Sequence, residues 1–144
     1  MSLDGDYDDD NIFARIVRGE IPGATISEDD EILMLMDAYP QARGHALVIS
    51  KIAKARNILD VEADVLSQII LAVQRLARAV RVALGPDGIR IVQFNGAPAG
   101  QSVFHLHFHV IPVWLDQAVA PHGGGGVELA QLQQQARLIA ARLS

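Results

Sequence analysis

Apolar residues along this chain fall into short runs at two spacings, and the spacings predict the elements. Ile12, Phe13, Ile16 and Val17 recur at helical intervals within residues 11–18, and Gly19 with the Ile21-Pro22-Gly23 turn closes that short helix. Thr25 to Ser27 reads as a short strand and Glu28-Asp29-Asp30 as a polar turn. Residues 31–37 and 45–50 are apolar runs that read as mostly buried strands. Their connection, with Pro40 and Gly44, is short enough for an antiparallel pair. The clearest helix is 61–84, with Asp60 as its expected N-cap. Val65, Ile69, Leu76, Val80 and Ala83 keep to one stripe, and Gln68, Arg75 and Arg78 fall mostly off it. Ile89 to Phe94 is a third strand and residues 95–100 a loop of small residues. Residues 103–111 are a fourth strand, which Pro112 ends or places near an edge. The run Gly123 to Gly126 reads as a flexible hinge. Beyond it, Leu129, Leu132, Ala136, Ile139 and Leu143 line one face of an amphipathic helix over 127–143, which needs a partner surface. The sum is an α+β fold, a mainly antiparallel sheet with helices packed on it.

Composition narrows the class. A chain of 144 residues, half apolar and one-fifth charged, is one soluble domain with a core of its own. The absence of cysteine excludes a disulfide scaffold, a thiolate zinc site and a cysteine nucleophile. No apolar run reaches the roughly 18 residues of a membrane span. The N-terminus is acidic where a signal peptide would be basic, so a cytoplasmic location is expected. The net charge of −5 comes from the end of the chain: Asp4, Asp6, Asp8, Asp9 and Asp10 supply it, and the remaining acids match the 12 Lys and Arg. Residues 1–10 are therefore expected to be a disordered acidic tail. A neutral body with two lysines argues against broad electrostatic binding of nucleic acid, and with no spanning run no membrane partner is expected either.

The chemistry concentrates in residues 101–112, QSVFHLHFHVIP. His105, His107 and His109 recur at every second position with apolar residues between them. In a strand they share one face, while Phe104, Leu106, Phe108 and Val110 share the other. Three readings compete. The histidines form a solvated polar face; or a His-x-His pair holds a metal; or one imidazole is a nucleophile whose neighbours position and polarise a substrate. The outer two histidines lie ~13 Å apart by strand rise, too far to share one ion. The preceding Gly-Gln-Ser offers N–H groups and a hydroxyl suited to phosphate oxygens.

The pattern His-φ-His-φ-His-φ-φ over His105 to Ile111 resembles the signature of the histidine triad (HIT) superfamily. Other stretches look like the family's remaining motifs, in the same order. They are Ile12-Phe13-Ala14-Arg15-Ile16, Gly19-Glu20-Ile21-Pro22, Glu28-Asp29-Asp30, Met36-Asp37, Pro40, Gly44 to Ile49, Asn95 and Gly100-Gln101-Ser102-Val103. The likeness covers residues 11–113 and is nearest the small bacterial HIT hydrolases of the nucleotide-binding branch, leaving 114–144 as a C-terminal extension.

The resemblance implies a two-fold homodimer that hydrolyses purine nucleoside monophosphate derivatives at the α-phosphorus. His107 matches the nucleophile and would form a nucleotidyl-imidazole, its Nδ1–H held by an acceptor such as a backbone carbonyl. His109 matches the histidine beside the phosphoryl and leaving groups, and His105 and His45 the supporting network. Asp37 matches the acid that accepts both ribose hydroxyls. Ile12, Phe13, Ile16, Leu35 and Leu47 match the walls of the base pocket; Asn95, Gln101 and Ser102 match phosphate contacts, Ser102 also serving catalysis. Read without the family, the five apolar residues are core, Asp37 is a turn former, His45 is a structural histidine and Asn95-Gly96 is a turn.

Departures from the family pattern matter as well. Many bacterial members carry Cys-x-x-Cys in the first helix and bind structural zinc; Asn11 and Ala14 stand there, so no metal and no cofactor is expected. His109 stands where the transferase branch has Gln, which favours hydrolysis. The expected activity is that of a nucleoside phosphoramidase. The alternatives are a dinucleoside polyphosphate hydrolase and a nucleotide-binding interaction protein with little turnover.

Overall fold

A computed structural model describes residues 3–144 as an α+β fold built on one five-stranded sheet. The strands are β1 (Thr25–Glu28), β2 (Ile32–Met36), β3 (Ala46–Ser50), β4 (Gly88–Val92) and β5 (His107–Val113). They lie in the order β1-β2-β3-β5-β4, every neighbouring pair antiparallel. The helices are α1 (Ile12–Val17), α2 (Ala63–Leu84) and α3 (Leu129–Ala140). Asn11 caps α1, its side chain accepting from the Ala14 N–H at 2.9 Å.

Both faces of the sheet are covered, which is why β2 and β3 read as continuous apolar runs rather than alternating ones. One face packs on α2, which lies over β3 and β5, and on α3, which lies over β1 and β2. Met34, Val48 and Phe108 form one row there, Met36, Ala46 and Val110 the next. On the other face the registered rows are Leu33, Ile49, His107 and Leu35, Leu47, His109, and Phe13 of α1 packs with the aliphatic ones.

Several expectations need correction. β5 begins at His107, not at residue 103. Upstream, the Leu106 N–H goes to the Ala55 carbonyl and the Val103 carbonyl accepts from Gln101, so neither joins the ladder. The strand also runs through Pro112, in an interior strand. β3 stops pairing at Val110, so Pro112 has a partner only in β4 and its missing N–H costs nothing. Gly44 (φ +84°) is the reason β3 stops there: a Cβ on it would come within 2.2 Å of Leu84 and 3.3 Å of Pro112.

Asp60 does not cap α2. Glu62 holds the N-cap position without a side-chain hydrogen bond, and Asp60 instead accepts from the N–H groups of Arg56 and Asn57. Residues 3–10 are not a loose tail. Asn57 donates to the Leu3 carbonyl, Arg56 to the Asp6 carbonyl, and Lys54 pairs with Asp9 at 2.9 Å; residues 1 and 2 of that expected tail lie outside the described residues. The stripe of α3 finds its partner within the same chain, where Leu132, Ala136 and Ile139 are buried in the core shared with α2. The glycine run before it lies between two ties to the β2–β3 connection, Ala120 to Gln41 and Val127 to Ala38.

Candidate active site

The face under α1 is covered by a helix of only six residues, and a cleft of about 470 Å³ opens beside it. Ile12, Phe13, Ile16, Leu35 and Leu47 form its apolar part, and Asp37, Ser102, His107 and His109 also line it. His105 and His45 stand behind it. All four of these histidines are buried, so the triad is not a solvated polar face. His105 precedes β5, yet its ring lies on the same side, 6.2 Å from Phe13, which in turn lies 4.8 Å from His107.

Each tautomer follows from its partners. The His105 carbonyl can only accept, so His107 Nδ1, 2.7 Å away, carries the proton and its Nε2 keeps a bare lone pair. His105 Nε2 donates to the Ser50 carbonyl at 3.1 Å, which leaves Nδ1 to accept from the Tyr7 hydroxyl at 2.7 Å. Burial raises the Tyr7 phenol above its ordinary value, so it remains the donor. His45 Nδ1 accepts from the Gln41 N–H at 2.9 Å, so its Nε2 carries the proton and donates to His109 Nδ1 at 2.9 Å. His109 is thereby fixed with its proton on Nε2, and that buried N–H has no hydrogen-bond partner among the described residues. Leaving such a donor unpaired costs roughly 1–3 kcal/mol, which an arriving acceptor would recover.

Burial holds the four imidazoles neutral. It lowers His45 and His105 to about 4 and His109 to about 2, against an ordinary 6.5, with neighbouring imidazoles pushing His109 further down. His107 is lowered by the same burial, opposed by its bond to the His105 carbonyl.

Asp37 holds the turn after β2 and faces the buried histidines. One oxygen accepts from the Tyr39 N–H at 2.8 Å, as a turn former does, and the other lies 3.4 Å from His45 Nε2 at the edge of the cleft. Among the described residues, Asp37, His45 and His109 are the one group whose donor atoms could meet at a metal. The fit is poor: His45 Nε2 is protonated and its proton lies on the line to His109 Nδ1, so neither lone pair is free.

Of the residues expected at phosphate, Ser102 lines the cleft while Asn95 and Gln101 stand behind its lining. Asn95 accepts from the Ile58 N–H and from Gln93, to which its amide also donates. Gln101 accepts from the Gly96 N–H and donates to the carbonyls of Arg56 and Val103. Both side chains brace the loop that presents Ser102.

Sequence reasoning missed Tyr7, Gln41, Phe94 and His122. Gln41 and Ser50 act on the histidines through main-chain atoms, which leave no residue signature. His122 lines the cleft 5.4 Å from the His109 ring, and Phe94 lies 5.5 Å from His109 and 5.3 Å from His122. His122 is a lone histidine in a loop, so no spacing could single it out.

Known proteins with this arrangement are numerous. The HIT domain family matches residues 18–113. A crystal structure of a HIT-like protein involved in cell-cycle regulation from Bartonella henselae, solved with an unknown ligand, superposes with a TM-score of 0.91 at 42% identity. The match covers 96% of this chain and 100% of that one. The Hit protein of Bacillus subtilis is 40% identical over 101 residues, 70% of this chain and 69% of its own. An adenylylsulfatase of Arabidopsis thaliana is 32% identical over 119 residues, 78% of this chain and 60% of its own. With two thirds of its length matched by the family and a triad set in the fold those relatives share, the chain belongs to the HIT family.

Proposed function

We propose that the protein is a purine nucleotide hydrolase that attacks the α-phosphorus of nucleoside monophosphate derivatives, and that its substrates are nucleoside phosphoramidates. The observation that carries this reading is the tautomer of His107. Its Nδ1–H is tied to the His105 carbonyl, and burial disfavours its protonation, so Nε2 is a neutral nucleophile in a cleft at neutral pH.

In the first half-reaction the Nε2 lone pair forms a bond to phosphorus, the bond to the leaving group breaks, and the leaving group departs with the electron pair. In the second, water oxygen bonds to phosphorus and the P–Nε2 pair returns to His107. The unpartnered Nε2–H of His109 supplies a donor for a phosphoryl oxygen, as electrostatic stabilisation of developing charge requires. The Ile12, Phe13, Ile16, Leu35 and Leu47 walls take the base, and Asp37 takes the ribose hydroxyls.

The adenylylsulfatase among the relatives favours a second reading, cleavage of adenylyl sulfate, which breaks a bond to the same phosphorus. A single panel separates the readings: adenosine 5′-phosphoramidate, AMP-lysine, adenylyl sulfate and diadenosine polyphosphates, each followed for AMP release. Preference for the two amides supports the phosphoramidase; release from the sulfate alone transfers the assignment to it; binding without any release leaves an interaction protein.

The homodimer has a candidate surface. β4 is an edge of the sheet, its Ile91 is 46% exposed, and α2 turns Leu71 and Val82 outward. A sedimentation mass of one chain would remove the dimer. No helix among the described residues is long and apolar enough to cross a membrane.

A further inference from the structure

Proton accounting in the site leaves a gap. An amine leaving from phosphorus must take up a proton, and none of the triad histidines can release one. His107 Nδ1–H is held by the His105 carbonyl. His109 could give up its Nε2–H only if Nδ1 were recharged by His45, and His45 could be recharged only from the Gln41 main-chain N–H, which does not ionise. The chain from Gln41 through His45 to His109 polarises its end but delivers no net proton. A second proton on it is opposed by the burial that lowers His45 to about 4 and His109 to about 2.

His122 stands where that proton is needed. The rings form a row, Phe13 to His107 at 4.8 Å, His107 to His109 at 5.0 Å and His109 to His122 at 5.4 Å. The row begins at the apolar walls and ends at His122, which lines the same cleft. The other four histidines of the chain are buried, whereas His122 is exposed to water at the mouth of the cleft. Its position is built. Ala120, two residues before it, donates to the Gln41 carbonyl at 2.8 Å and accepts from the Gln41 side chain at 3.0 Å. Gln41 is also the residue whose N–H sets the His45 tautomer. On the other side the Phe94 ring lies 5.3 Å away, packed over Gly100.

We infer that His122 is the acid–base residue on the leaving-group side of the α-phosphorus, an inference that rests on the phosphoramidase reading above. As His107 Nε2 bonds to phosphorus and the P–N bond breaks, the departing amine keeps the electron pair and takes a proton from the His122 imidazolium. The neutral His122 then accepts a proton from the water that attacks the nucleotidyl-His107, and both rings return to their starting states. Substrate and one water give nucleoside monophosphate and amine.

The test compares two substrates with one nucleotide and different leaving groups, an alkylamide of AMP and its p-nitrophenyl ester, whose leaving group departs as a stable anion and needs no proton. His122→Gln and His122→Phe are both assayed, because phenylalanine keeps the ring packing and loses the proton. In single turnovers, where only the first half-reaction releases the leaving group, both variants are expected to lose about a hundredfold in the rate of amine release from the amide, the low end of acid–base catalysis, and less than threefold in p-nitrophenolate release from the ester. An equal loss on both substrates, or a His122→Phe enzyme with full amide activity, overturns the inference. If the wild-type protein cleaves neither substrate, the phosphoramidase reading fails separately. Calorimetry with AMP and ADP then decides the placement of His122: weaker binding of ADP alone in His122→Phe supports it, and unchanged ADP binding overturns it.

Discussion

Under α2 and α3 the sheet presents Met34, Val48 and Phe108 in one row; under α1 the same strands present Leu33, Ile49 and His107 in the next register. Both rows are buried, and both come from alternation along β5. The first face is closed by a helix of 22 residues and one of 12, and its cluster is wholly apolar. The second is closed by six residues of α1, and where cover runs out the sheet exposes imidazoles to a cleft. Every imidazole there is fixed by a partner of known polarity, and burial keeps it neutral. Substitutions on the first face are therefore expected to cost stability, and those on the second to cost chemistry.

The sharpest way to break that contrast is His107→Ala. It removes the covalent route, so turnover falls by orders of magnitude, while AMP still binds because the apolar walls and Asp37 are untouched. Mass spectrometry of acid-quenched enzyme should find a nucleotidyl adduct in the wild type and none in His107→Ala. An adduct persisting in the variant, or mapping to His105 or His109, assigns the nucleophile elsewhere. His109→Ala removes one donor to the phosphoryl group and is expected to raise the barrier by roughly 3–4 kcal/mol, with the adduct still forming. Rapid-quench kinetics checks this; a His109→Ala enzyme at wild-type rate shows that the donor faces nothing that reacts.

Much of this was readable in the chain itself, and the boundary is physical. The long helix and the triad face follow from side-chain periodicity in residues 61–84 and 105–111, and the two central strands from continuous apolar runs within residues 31–50, all local properties of the chain. The apolar walls at Ile12, Phe13, Ile16, Leu35 and Leu47 required the family likeness, since pattern alone makes them core. The amides of Asn95 and Gln101 satisfy a loop beside the cleft, which only the folded chain reveals. The tautomers of His107, His105 and His45 depend on main-chain groups of His105, Ser50 and Gln41, whose positions no residue type encodes. Residues 3–10 looked like a solvated acidic run, yet Tyr7 within them reaches His105 across 98 positions.

On the first face the expected loss is structural. Leu76→Ala, at a fully buried position of α2, should cost about 2–5 kcal/mol of unfolding free energy with no change in KM for any substrate. Denaturant titration beside steady-state kinetics measures both; a raised KM at unchanged stability would show that the two faces are coupled. Removing residues 123–144 belongs to the same class, because it strips Leu132, Ala136 and Ile139 from the core.

Acid stability sharpens the second face, and there the single-residue share is what the measurement reads. A histidine buried in its neutral form has a folded pKa below that of the unfolded chain. Between the two values the unfolded chain takes up the proton and the folded one does not, so stability is complete above about pH 6.5 and falls as the pH drops. The fall continues to about 4 for His45 and His105 and to about 2 for His109. Each group contributes a slope of about 1.4 kcal/mol per pH unit inside its window. Melting temperature should therefore decline steeply from pH 6.5 to 4. His105→Gln should flatten that decline by one group's share, whereas Leu76→Ala should lower the whole curve and leave its slope alone. A melting temperature level between pH 7 and 5 would mean that the imidazoles are not held neutral, and the tautomer chain from Gln41 to His109 would fall with it.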